Sequence, residues 1–113
     1  MSRHDPNVLL HDMLDYAAKA VRFCEGKSQA DFEQDEMLQL AVARAVELIG
    51  EAASRVPRDV RDSHPTIPWS DIIGTRSRLI HGYDRVDLQI VWNTIQADLP
   101  PLIDALRLIL GEN

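Results

Sequence analysis

The stretch "RSRLIHGY", Arg76 to Tyr83, gathers side chains that can do polar chemistry without a metal. RNA can be cut by such groups alone. A base takes the 2′-OH proton, an acid protonates the leaving 5′-oxygen, and a cation stabilises the charge that builds on phosphate. Histidine suits the first two tasks because its unperturbed pKa, about 6.5, lies close to neutral. Arginine suits the third because its planar fork grips phosphate oxygens and stays charged. His81 is therefore the candidate general acid/base and Arg76 the candidate phosphate clamp. Ser77 stands four residues before His81, on the same side of a helix, where it could orient the ring or the phosphate. Arg78 is a weaker candidate for contact with the RNA backbone, since a solvated arginine on a helix face looks the same.

A plainer reading competes. Leu79 and Ile80 would pack into a core, both arginines would be solvated, and His81 and Tyr83 would decorate a helix C-terminus, where the dipole favours cations. On spacing alone that reading is favoured. A five-residue step also turns Arg76 and His81 roughly 140° apart on an ideal helix. The two converge only if the helix ends at the histidine, or if a second subunit completes the site.

Other chemistries find little support. The histidines, His4, His11, His64 and His81, include no pair at three- or four-residue spacing, and Cys24 stands alone, so neither a metal nor a cofactor is expected. The five glycines are scattered and form no phosphate loop. Cys24 falls on an apolar stripe, which suggests a buried, inert thiol. A single cysteine allows no intramolecular disulfide and fits a reducing, cytoplasmic setting. The opening "MSRHDPNVLLHD" has no long apolar run, so neither a signal peptide nor a membrane span is expected. The net charge of −6 argues against broad, charge-driven nucleic-acid binding, while leaving room for a small basic site.

The elements that must position these groups read as helices. The length, 113 residues, suits one domain spanning 1–113. In the first segment Val8, Leu10, Met13, Leu14, Ala17, Val21 and Cys24 recur at helical steps, with Asp5 before Pro6 as N-cap and Gly26 as the stop. A short turn capped by Ser28 comes next. The second segment carries the stripe Leu38, Val42, Ala45, Ile49 and Ala52 and ends at Pro57. Its small residues, Ala41, Ala45, Gly50, Ala52 and Ala53, would allow close helix approach. A helical turn is expected around Arg58 to Asp62. The third helix starts near Pro68 and stops near Gly82, and Gly74 inside it suggests close approach of another backbone or helix. The fourth starts at Asp87 and keeps its stripe, Leu88 to Ile109, through Pro100 and Pro101, which predicts a kink. With no strand pattern of useful length, the expectation is an all-α bundle of four main helices joined by short helical turns.

At this point the sequence resembles a known family. Arg76, four residues, then His81 is the arginine–four–histidine signature of HEPN-domain ribonucleases. Its extension through Gly82 to Tyr83 resembles the longer motif of HepT-like toxins. "ELIGEAASRVP" is similar to the family's second-helix signature. The run from "IPWSDIIG" to "QADLPPL" resembles its motif region and last helix. One position departs: the family often has asparagine where this chain has Ser77, which has no amide donor. The resemblance implies a HEPN four-helix bundle and a homodimer in which two copies of Arg76 and His81 surround one phosphate. It implies the toxin of a type II toxin–antitoxin pair, acting on RNA. The implied antitoxin is a small nucleotidyltransferase that adds AMP to the motif tyrosine, here Tyr83. A reading from a different class stays open: a non-catalytic module that serves a nucleotidyltransferase as its substrate- or nucleotide-binding partner.

Overall fold

The computed structural model describes residues 5–81 and 85–112, and of residues 76, 79–81, 85 and 86 it describes the backbone. The chain runs through α1 (Pro6–Phe23), α2 (Gln29–Glu33), α3 (Glu36–Arg55), α4 (Arg58–Ser63) and α5 (Trp69–Leu79). A two-residue ladder comes next, β1 (Ile80–His81) with β2 (Arg85–Val86). Then come α6 (Leu88–Asn93), a π-helical turn (Thr94–Asp98) and α7 (Leu99–Leu110). The architecture is all-α, as the periodicity predicts.

Each helix start has a local chemical cause. Asp5 accepts the Asn7 amide at 2.9 Å, and Pro6 loses nothing at a position whose N–H has no helical partner. Ser28 and Asp31 form a reciprocal capping box, each side chain accepting the other's backbone N–H, at 3.1 and 2.9 Å. Hydrogen bonding from Ser28, its backbone N–H first, holds the Asp31 carboxyl below its ordinary pKa. Asp35 accepts the Leu38 amide, and Asp87 those of Gln89 and Ile90.

The core is built around α3, which packs on α1 along one side and on α5 along the other, while α7 closes the far side of α1. Met13, Ala17, Val42, Ala53, Val91 and Leu106 are fully buried at its centre. Phe32 on α2 is also fully buried, its ring 5.5 Å from that of Trp92. The small residues of α3 serve this packing, apart from Ala41, which is exposed. Ala45, Gly50, Ala52 and Ala53 are all buried within the chain. A Cβ on Gly50 would stand 3.1 Å from the Ile72 carbonyl, so Gly50 sets the α3–α5 spacing.

Two expectations need correction. The motif helix ends at Leu79, before Gly82 and before the histidine, and the chain turns extended. Close backbone approach occurs at Gly50, whereas among the described residues a Cβ on Gly74 would meet only the Arg78 guanidinium, at 3.4 Å. The proline pair is preceded by a π turn, in which the Leu99 amide reaches back five residues to the Thr94 carbonyl. The Gln96 carbonyl meets a proline both four and five residues on, so neither an α nor a π bond can form there.

Candidate active site

α5 carries the first half of the motif. The Ile72 amide donates to the Pro68 carbonyl at 3.0 Å to close its first turn. Asp71 in that turn complements the helix dipole. Trp69, buried at the helix start, donates its indole N–H to the His64 carbonyl at 3.1 Å and ties α5 to the link before it. Positions 76, 77 and 78 occupy the last turns of α5, and Ser77 and Arg78 are exposed there.

The second half lies in the ladder. Ile80 pairs with Val86 and His81 with Arg85, antiparallel. His81 is therefore on extended backbone, and the 140° separation of an ideal helix does not govern its relation to Arg76. The register also sets the backbone of Arg85 across from His81, a position that the motif pattern does not single out. The signal available was the turn-forming run "GYD" between the two short segments. Tyr83, the position of the expected AMP addition, lies outside the described residues.

Arg78 has a defined seat. Its Nη2 donates to the Asp71 carbonyl at 3.0 Å and to Thr75 Oγ1 at 2.9 Å. Thr75 Oγ1 in turn donates to the same carbonyl at 2.6 Å. Among the described residues no carboxylate lies within ion-pair distance of this guanidinium. Asp71, Thr75 and Arg78 form one stripe of α5 along a cavity of about 350 Å³ floored by Ile49, Leu99 and Leu102. Thr75 had no place among the sequence candidates, because a threonine inside an apolar stripe reads as packing.

Burial raises the pKa of the Cys24 thiol, which keeps it protonated and unreactive near neutrality. His11 stands 3.2 Å from Glu112 on the surface. Among the described residues no three His, Cys, Asp or Glu side chains are grouped to hold a metal ion. Among them, too, no helix is long and apolar enough to cross a membrane.

Comparison with known proteins adds to this geometry. A family model described as "Ribonuclease HepT-like" matches residues 13–109. The chain is 39% identical over 95 residues to a protein from Thermococcus cleftensis described as a probable ribonuclease HepT, covering 80% of this chain and 86% of that one. It is 35% identical over 105 residues to a candidate RNase of Caldanaerobacter subterraneus, covering 93% and 94% of the two chains. A candidate RNase of Methanocaldococcus jannaschii is 33% identical over 102 residues, covering 90% and 94%. No solved structure matches the chain.

Proposed function

The chain belongs to the HepT-like ribonuclease family, and from that premise we propose that it is a metal-independent endoribonuclease, the toxin of a type II toxin–antitoxin pair. The observation that carries the reading is the family match over residues 13–109, which spans the whole arginine–four–histidine motif. His81 takes the proton of the RNA 2′-OH, and the 2′-oxygen attacks the adjacent phosphorus. The bond to the 5′-oxygen breaks, and that oxygen is protonated by an imidazolium. Arg76 neutralises the charge on the phosphoryl oxygens as the attack proceeds. Products carry a 2′,3′-cyclic phosphate and a 5′-OH. Ser77, exposed on α5 between the arginine and the histidine, positions the phosphate or the ring. Arg78 is also exposed and can lend charge to the RNA backbone.

Each chain has one motif histidine, whereas the reaction needs both a base and an acid. A homodimer that brings two copies of His81 to one phosphate supplies both, and this supports the dimeric reading. Regulation is assigned to Tyr83. A nucleotidyltransferase antitoxin that adds AMP to its hydroxyl puts a negative phosphate two residues from His81, where it competes with RNA for the same cations.

The test has two arms. Purified protein is incubated with total RNA in EDTA, beside His81→Ala. Cyclic-phosphate ends from wild type alone are the expected result. No cleavage, or equal cleavage by both proteins, would sink the enzyme reading, and an inert protein that still bound the nucleotidyltransferase would be a binding module. In the second arm the cognate nucleotidyltransferase, ATP and magnesium are added to wild type and to Tyr83→Phe. Intact mass should rise by one AMP in wild type only, with loss of cleavage. Equal modification of Tyr83→Phe would move the switch elsewhere.

A further inference from the structure

The end of α5 must hold Arg76 still, yet the element after it is slight. The last carbonyls of a helix lack intrahelical donors. Here the helix passes directly into a ladder of two residue pairs, which on its own is at best marginally stable in water. Packing on α3 holds the body of α5, and a contact on α5 itself can fix its last turn as well.

The Asp71–Thr75–Arg78 contacts have the form this requires. Thr75 is 8% exposed, and its hydroxyl uses both of its capacities: it donates to the Asp71 carbonyl and accepts from Arg78 Nη2. Nη2 spends its second hydrogen on that same carbonyl. The guanidinium thus spans seven residues, from the last turn of α5 back to the first. Its path along the helix crosses position 74, where a Cβ would stand 3.4 Å from Nη1. A glycine costs stability inside a helix, and a Cβ at that distance would make ordinary van der Waals contact with the guanidinium. In a donor chain of this kind each bond polarises the next. A staple on this stripe acts on the motif through the backbone alone, because two residues on, from 76 to 78, the helix has turned about 200°.

We infer that Thr75 is a positioning residue. It seats Arg78 on the Asp71 carbonyl, and this staple sets the last turn of α5, on whose backbone Arg76 stands and from which the chain leads into His81. The inference rests on the ribonuclease reading for its consequence, but the staple is measurable without it.

Thr75→Val keeps the shape and removes the hydroxyl, and Thr75→Ser restores the hydroxyl. Hydrogen–deuterium exchange over 76–81 should quicken in Thr75→Val and return toward wild type in Thr75→Ser, with α1 and α3 unchanged. In the ribonuclease assay Thr75→Val should lower kcat about tenfold, the scale of one charge-assisted hydrogen bond, with KM moving less than about twofold. Thr75→Ser should recover most of the loss. Unchanged exchange over 76–81 would overturn the staple. Faster exchange with unchanged kcat would overturn its positioning role. A rise in KM at constant kcat would make the stripe an RNA-binding surface and overturn it as well. Should wild type cut no RNA, the enzyme reading fails separately, and the exchange comparison alone decides the staple.

Discussion

At the scale of single residues, charge and hydrogen bonding decide what each group can do. Under the proposed mechanism, Arg76→Ala removes the cation that stabilises phosphoryl charge, and His81→Ala removes the acid/base. Each should lower kcat/KM by about 10²-fold or more while circular dichroism stays helical. Near-wild-type cleavage by either variant would unseat that residue. Cys24 shows the opposite case. It sits among the buried side chains at the end of α1, and burial raises its pKa. Ionisation exposes the nucleophile, so a thiol with a raised pKa reacts slowly at neutral pH. Iodoacetamide near neutral pH should leave native Cys24 almost unlabelled and label it fully in denaturant. Fast labelling of the native protein would show that the α1 end opens readily.

At the scale of elements, the spacing of α3 and α5 is the variable that matters, because α5 carries the motif. Gly50 lets the Ile72 carbonyl come to where a side chain would begin. Gly50→Val puts a branched side chain against backbone, which cannot give way as a flexible side chain can. We expect a loss of about 1–3 kcal/mol in urea unfolding, the usual cost of overpacking. Cleavage should fall as well, since α5 must shift bodily. Unchanged stability would mean that the two helices separate at little cost. Before α7 the chain solves a different problem. Pro100 and Pro101 cannot donate, so the helix widens into the π turn and carries its apolar stripe onward. Val91, Ile95, Leu99, Leu102 and Leu106 all remain buried across it.

For the whole molecule, the open matter is assembly. In sequence the small residues of α3 promise close helix approach. In the structure Ala45, Gly50, Ala52 and Ala53 pack inside the chain while Ala41 stays exposed, and Trp92 lies against Phe32. Among the described residues the large apolar side chains left exposed are Met37 and Leu40 on α3, Phe23 on α1 and Leu108 on α7. Under the proposed mechanism the active particle has twice the 12.8 kDa chain mass. Light scattering coupled to gel filtration should find that mass, and cleavage per chain should fall on dilution below the dimer dissociation constant. A monomer with undiminished cleavage at high dilution would contradict the two-histidine arrangement.

Local signals made much of this protein legible before any fold was known. Asp5, Ser28 and Asp87 cap where their side chains predict, because a cap acts within three residues of itself. The stripes of α1, α3 and the last helix name their buried faces, because a period of 3.6 is a property of the chain alone. The motif from Arg76 to Tyr83 marks the family in the same local way. Three things depended on contacts between residues distant in sequence or on backbone that periodicity does not encode. Periodicity could not end α5 at Leu79, since Ile80 fits a helix as well as a strand until Val86 comes beside it. It could not tell which glycine meets a neighbouring helix, since Gly50 and Gly74 look alike until α5 lies on α3. Nor could it separate Arg78 from any solvated arginine: the guanidinium acquires its role only when Thr75 is buried and the Asp71 carbonyl lies within reach.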